Sequence, residues 1–269
     1  MTPFLARYER FGRVGSTNDV VREWLAEGTA EICLAVADEQ TAGRGRSGRS
    51  WQAPAGGALL LSLGFRPTWL EPDRVWRLAA TASLAMTAAA SSVAGLADET
   101  IRLKWPNDLV VETETLGMRK LGGILGETQG LGTNDPRVVV GIGLNADWRA
   151  GDFPAELAGS MTSLRELSSG SPVDSARLLD GFVARLEAGI AALRDGRFDA
   201  VTWAGLQLTN GRTIRLERPD GSETVDALGV DSETGGLLVA DQDSPNGARQ
   251  VLVGEISHVR VASVAAAGV

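Results

Sequence analysis

Apolar and polar positions along the chain follow two periods, and the change from one to the other divides it. From Ser16 the apolar residues fall at Val20, Val21, Trp24 and Leu25, which is a helical spacing. Ser16 or Thr17 serves as N-cap, Asp19 suits the first turn and Gly28 is the stop. Residues 32–38 (ICLAVAD) and 58–65 (ALLLSLGF) are short continuous apolar runs, as expected of buried strands. Between them, residues 40–57 form a long loop rich in Gly and Arg. Residues 73–93 predict an Ala-rich helix with Val75, Trp76, Leu78 and Ala79 at helical spacing. The runs IRLKW with LVVE, KLGGILGET and RVVVGIGLNA follow as strands. Pro172 and Asp174 introduce a second long helix over 174–194, and a shorter helical piece surrounds Trp203. From about residue 207 the strands become short and alternating, punctuated by Asn-Gly, Asp-Gly and Gly-Gly turns. The fold class is therefore α+β: a mixed sheet flanked by helices over 1–206, followed by a small β-barrel over 207–269.

Composition narrows the function classes. At 43% apolar and 22% charged over 269 residues, the chain is an ordinary globular one. It has no apolar run long enough to span a bilayer and no apolar signal core within residues 1–13, so a cytoplasmic location without a membrane partner is expected. The lone Cys33 cannot form an internal disulfide, and the lone His258 makes a His/Cys zinc site or a Ser-His triad improbable. A net charge of −8 argues against a general nucleic-acid binder. Of 26 cations only two are lysine, Lys104 and Lys120. Either codon bias spared two by chance, or each site needs a compact ammonium rather than a planar guanidinium.

Two segments carry candidate chemistry. Gly43-Arg44-Gly45-Arg46-Ser47-Gly48 fits G-x-G-x-x-G, and Gly43 to Ser50 resembles a P-loop with Arg for Lys. Both motifs require a helix to begin at the final glycines, and Pro54, Gly56 and Gly57 forbid one. What remains is three arginines alternating with glycines beside Trp51. Glycines let backbone approach an anion, and Arg44, Arg46 and Arg49 can grip phosphate or carboxylate oxygens; a solvated basic loop is the alternative.

Lys104 precedes Trp105-Pro106-Asn107-Asp108, where Pro106 keeps Trp105 extended and Asn107-Asp108 makes a polar turn. Lys120 opens a strand containing Gly122 and Gly123, and Gly141-Ile142-Gly143-Leu144-Asn145 repeats the small-residue pattern on the next strand. Glycines within strands mark the close approach of a ligand or backbone, or else a bulge. Ammonium, amide and carboxylate groups at strand ends, over a floor lacking side chains, suit a nucleotide or another anionic intermediate under a lid.

Together these segments resemble the biotin–protein ligase family. The matching segments are Gly15-Ser16-Thr17-Asn18, Gln40-Thr41-Ala42-Gly43-Arg44-Gly45-Arg46-Ser47-Gly48-Arg49-Ser50-Trp51, Lys104-Trp105-Pro106-Asn107-Asp108, Arg119 to Leu125 and Gly141 to Asn145, in the family's order. The resemblance implies a class II synthetase-like sheet with an SH3-like C-terminal domain. It also implies a two-step reaction: biotin's carboxylate attacks the α-phosphate of ATP, and a lysine of a biotin carboxyl carrier domain then attacks biotinyl-AMP. ATP with Mg²⁺ is implied; no magnesium ligands can be chosen.

By the same resemblance Lys120, Arg46, Asp108 and Lys104 are catalytic, and Asp108 orients the incoming lysine; a turn-capping carboxylate is its alternative. Biotin would meet Ser16, Thr17, Asn18, Gln40, Arg44, Gly45, Arg46, Trp51, Lys120, Gly122 and Gly123. The adenylate would meet Arg46, Arg49, Trp51, Lys104, Asn107, Lys120 and Asn145. Ser16 and Thr17 could also be plain helix caps, and Trp51 a core residue. Ser47 stands where relatives often carry a further Arg. The first matching segment begins at Gly15, which leaves no room for an N-terminal DNA-binding domain, so no DNA partner is expected. A lipoate or octanoyl transferase of the related fold and a non-catalytic biotin sensor are the competing functions.

Overall fold

The computed structural model describes residues 4–113, 117–218, 221–252 and 258–261. A seven-stranded sheet forms the larger part. Its strands are β1 (Arg7–Phe11), β2 (Cys33–Ala37), β3 (Ala58–Phe65), β4 (Arg102–Lys104), β5 (Asp108–Thr113), β6 (Gly117–Gln129) and β7 (Arg137–Asn145). They lie in the order β1-β2-β3-β7-β6-β5-β4, with β1 and β2 parallel and every other pair antiparallel. The mixed sheet is as the sequence predicts, except that β1 carried no signal. Its sequence, RYERF, is half exposed and charged, as an edge strand tends to be, and offers no apolar run.

Alternation along β2 sorts its side chains to two faces. Leu34 and Val36 join the main core with helices α2 (Trp76–Ala94) and α5 (Ser175–Arg194). Cys33 and Ala35 pack with Val21, Trp24 and Leu25 of helix α1 (Thr17–Ala26) and with Val139 of β7. Each fully buried Leu, Val or Ile contributes about 1.5–3 kcal/mol, so the long-helix face supplies most of the stability. The α1 face is covered only at one end, which leaves the other end for a site. Helix α2 starts at Trp76 rather than 73 because residues 72–74 form a 3₁₀ turn led by Pro72. The short helices α3 (Ala155–Ala158) and α4 (Leu164–Leu167) are too brief for a periodic signal, and α6 (Ala200–Gly205) is the piece around Trp203.

The C-terminal part is a five-stranded antiparallel sheet of β8 (Arg212–Arg218), β9 (Gly221–Val230), β10 (Leu237–Ala240), β11 (Ala248–Val251) and β12 (His258–Val261), in the order β11-β10-β9-β8-β12. The hairpin tip between Asp108 and Lys120 falls partly on residues 114–116, and part of the alternating C-terminal stretch falls on 253–257; both lie outside the described residues. No described helix is long and apolar enough to cross a membrane.

Candidate functional site

Strand register builds the site. Because directly opposed residues in an antiparallel pair share a face, the pairings Leu60↔Gly143, Gly143↔Gly123, Gly123↔Asp108 and Asp108↔Lys104 define one row across five strands. The middle of that row has no side chains and its end carries charge. The neighbouring row reads Ala35, Ser62, Gly141, Leu125. Ala35 packs beneath α1, so both rows face the α1 side of the sheet. A cavity of about 1260 Å³ lies over them. Single-ligand pockets run to roughly 300–1000 Å³, so this one has room for two substrates.

One end of the cavity is neutral and polar. Gln40 Oε1 accepts from the Thr17 backbone N–H at 2.7 Å and from the Thr17 hydroxyl at 3.1 Å. Gln40 therefore does the capping expected of Ser16, which occupies the N-cap position with extended backbone but makes no capping hydrogen bond. Ser62, fully buried, places its hydroxyl 2.6 Å from Asn18 Oδ1 and 2.7 Å from Thr17 Oγ1. Asn18 Oδ1 can only accept, so Ser62 donates to it, and Asn18 Nδ2 is left buried at the cavity wall without a partner. An amide with its carbonyl end fixed and its N–H₂ unpaired is a donor awaiting an acceptor.

The other end is charged. Asp108 Oδ1 accepts from Lys120 Nζ at 2.6 Å, and Asp108 Oδ2 lies 3.9 Å from Lys104 Nζ. Lys104 is 5% exposed. Lys120 is fixed by its backbone: its N–H donates to Ser160 O, and its C=O accepts from Thr162 N–H. Its ammonium lies 5.7 Å from the centre of the Trp51 ring. Arg46 is half-buried at the same cavity. Burial pulls its pKa below the ordinary arginine value, while the charge of Asp108 acts in the opposite direction. Both lysines of the chain thus converge on one carboxylate.

Residues 43–51 bridge the cavity as a closed hairpin loop. Gly45 N–H donates to Arg49 O, Trp51 N–H to Gly43 O, and Arg44 bridges to Ser50. No helix follows, so neither nucleotide-loop motif is present. Arg44 directs its guanidinium to an acidic side chain of α1. It makes a bidentate pair with Asp19, at 2.8 and 2.7 Å, and Asp19 also accepts from Arg22, which in turn donates to Glu127. Arg44 holds the Asp19 carboxyl below its usual value. Arg49 is exposed at the cavity edge.

Residues 11–145 match the biotin/lipoate A/B protein ligase family. The chain belongs to that family. The biotin–[acetyl-CoA-carboxylase] ligase of Mycobacterium tuberculosis is 32% identical over 253 residues, 92% of this chain and 87% of the relative. The bifunctional ligase/repressor BirA of Bacillus spizizenii is 31% identical over 232 residues, 86% of this chain and 68% of the relative. A biotin protein ligase from Aquifex aeolicus, solved in complex with biotin and ATP, superposes with a TM-score of 0.76 at 26% identity, covering 95% of this chain and 99% of that one.

Of the residues singled out from sequence, Ser16, Thr17, Asn18, Gln40, Arg44, Gly45, Arg46, Arg49, Trp51, Lys104, Asn107, Asp108, Lys120 and Gly123 all line the one cavity. Gly122 and Asn145 do not. A Cβ on Gly122 would strike Gly143 O, so this glycine serves strand packing. Asn145 is fully buried and donates to Thr162 O. The strand glycines also act differently from expectation. A Cβ on Gly141 would meet the Asn18 side chain, and one on Gly143 the Trp51 ring. These two make room for the protein's own site side chains rather than directly for a ligand.

Ser62, Asp19 and Trp148 were missed. Ser62 had a signal, as the one polar residue inside a buried run. Asp19 read as a first-turn helix acid. Trp148, stacked on Phe153 at 4.5 Å along the cavity wall, had none. Cys33 is no nucleophile, since burial pushes its thiol up to about 11. No group of three or more His, Cys, Asp or Glu that could hold a metal occurs among the described residues. Asp108 is engaged by two ammoniums, so these residues do not fit a resident magnesium ion.

Proposed function

We propose that the protein activates biotin as biotinyl-AMP and transfers it to a lysine of a biotin carboxyl carrier domain. The chain is a biotin ligase of the family named above. The observation that carries the two-step reading is a single cavity with a neutral hydrogen-bonding end and a positively charged end. Thr17, Asn18 and Gln40 provide the paired donors and acceptors that a neutral ureido ring needs. Lys104, Lys120 and Arg46 against one Asp108 leave two net positive charges in a chain of net charge −8.

Biotin's carboxylate and the α-phosphate of ATP are both anions and repel each other. Preorganised cations between them lower the barrier to attack, because the charges need no reorganisation during reaction. In this reading Lys120 sits between the reacting groups, and Lys104, Arg46 and Arg49 receive phosphate oxygens. The carboxylate oxygen attacks phosphorus, and pyrophosphate leaves with the P–O bond electrons. When substrate anions engage the two ammoniums, Asp108 has an oxygen to receive the acceptor lysine. That lysine is almost wholly protonated at neutral pH and must lose a proton before attack. The amine then displaces AMP. Trp51 forms the wall against the adenylate, and the hairpin loop excludes water. ATP enters as its magnesium complex, and no step is assigned to a metal site of the protein.

The test is to supply ATP and Mg²⁺ with either biotin or lipoate and to measure pyrophosphate, then to add a carrier domain. Biotin-dependent pyrophosphate followed by biotin on one carrier lysine is the expected result. Release with lipoate instead would move the protein to the other branch of its family. Binding of biotin without pyrophosphate would make it a sensor.

A further inference from the structure

Trp105 belongs to the motif that carries Lys104 and Asp108, yet its side chain is not part of the catalytic domain's core. It is 1% exposed and packs with Ile214, Leu216, Ala227, Leu237, Val239 and Val251, all from the C-terminal sheet. Its indole Nε1–H donates to Gly235 O at 2.9 Å, and its backbone N–H donates to Thr209 Oγ1 at 3.2 Å. On the N-terminal side, Leu103 N–H donates to Leu206 O, and Leu208 N–H donates to Leu103 O. The short β4–turn–β5 segment is thus gripped by the incoming chain and by the small sheet. Its two charged neighbours project the other way, into the cavity.

The turn that receives Trp105 is itself fixed. Gly235 has φ +73°, and a Cβ there would lie 2.6 Å from the Trp76 ring. Arg77, 6% exposed, donates to Ser232 O at 3.0 Å and to Glu233 Oε2 at 3.1 Å, and Arg74 reaches the same carboxylate at 3.4 Å. The turn over residues 231–236 is therefore clamped between Trp105 and the start of α2.

We propose that this turn is a positioning device for adenylation: through Trp105, Gly235 sets the depth of the Lys104–Asp108 segment and hence the spacing of its charges from Lys120. The inference rests on the function proposed above and goes beyond it, because it places a determinant of the phosphate end in the C-terminal sheet, outside the cavity. The biotin end is built from α1, β3 and Gln40, and among the described residues no side-chain hydrogen bond or ion pair given above joins it to the turn. A loosened turn therefore acts on ATP and the chemical step, not on biotin binding.

The experiment compares Trp105→Phe with the unaltered protein. Trp105→Phe keeps an aromatic ring in the small core and removes the donor to Gly235. Gly235→Ala is the second variant; it displaces the same turn without touching residues 104–108. In each, biotin affinity is measured by calorimetry, and kcat and KM for ATP by biotin-dependent pyrophosphate release. The expected result is a fall of about tenfold or more in kcat/KM for ATP, with biotin affinity within about twofold. Two results overturn the proposal: kcat/KM for ATP unchanged in the folded variants, or biotin affinity falling in proportion to it, which would be general destabilisation. Should both variants fail to fold, hydrogen exchange of the unaltered protein decides. Segments 103–109 and 231–237 should then open together in mild urea while 16–25 stays protected, and independent opening overturns the proposal. If the unaltered protein releases no pyrophosphate with biotin, it is the proposed function that fails, and the exchange experiment still reads the positioning.

Discussion

The hairpin loop over 43–51 and the turn over 104–108 both bring cations to one cavity, and they are built in opposite ways. The loop hangs its arginines on a glycine-rich backbone, with Arg44 and Arg49 exposed. It is held by a few backbone hydrogen bonds of its own and, through Arg44, by the acidic pair Asp19 and Glu127. The turn buries Lys104 and Trp105 almost completely and is gripped by two sheets. A fixed charge lowers a barrier because it is oriented before reaction begins. A charge on a loose segment cannot do that as well, but it can open to admit a ligand and close to retain it. Under the proposed function, we propose from this contrast that the lysines serve the chemistry and the loop serves retention.

The sharpest way to break that contrast is at Lys120. Lys120→Arg preserves the charge but replaces a point ammonium with a larger planar fork, which cannot take the place 2.6 Å from Asp108 in the same geometry. Biotin-dependent pyrophosphate release should fall by roughly 10²-fold or more. Near-normal release would mean that charge alone matters here, and the assignment of fixed geometry to the lysine side would be lost.

Arg46 tests the loop side. Removing one charge-assisted contact costs about 1.5–3 kcal/mol, or roughly ten- to hundredfold in retention. With Lys120 and Asp108 intact, Arg46→Gly should still make biotinyl-AMP but release it. Incubation with biotin, ATP and an unrelated lysine-rich protein should then label that bystander in the variant alone. A variant that makes no adenylate would place Arg46 with the lysines.

Much of this contrast was legible in the sequence, and the gaps have physical causes. The scarcity of lysine and the alternation of Arg with Gly are compositional, so they show without coordinates. Gly123, Gly143, Asp108 and Lys104 form one row only because four strands pair in a particular register, and register is a long-range property that no local pattern carries. The pairing of Arg44 with Asp19 carried no signal, because nothing local says that a carboxylate 25 residues earlier faces it. The role of Trp105 was hidden for the same reason, since its partners begin more than 100 residues later. The edge strand β1 was missed because half-exposed strands lack an apolar run.

Ser62 sharpens the neutral end, which the loop and turn comparison leaves aside. Ser62→Ala removes the donor that fixes Asn18 and the contact with Thr17. The cost of one hydrogen bond is about 0.5–1.5 kcal/mol, so biotin affinity should weaken by roughly two- to twelvefold, with a smaller loss in kcat. Calorimetry with biotin alone reads it; an unchanged affinity would show that Asn18 is held by its seat on Gly141 and not by the hydroxyl.

The smallest effect is expected at the loop's anchor. Asp19 is more than a third exposed, so its pairing with Arg44 contributes no more than about 1 kcal/mol. Asp19→Asn should therefore weaken biotin affinity by less than about fivefold. Its pH dependence is the more informative part. Arg44 holds the folded carboxyl below the ordinary value of 3.8, so the anchor's contribution is fully present above that value and is lost only as pH falls through the lower, folded one. Between pH 5 and 9 the affinities of the two proteins should differ by a constant factor. A ratio that drifts across that range would mean that the loop is held by some other titrating group, and that Arg44 is not its tether.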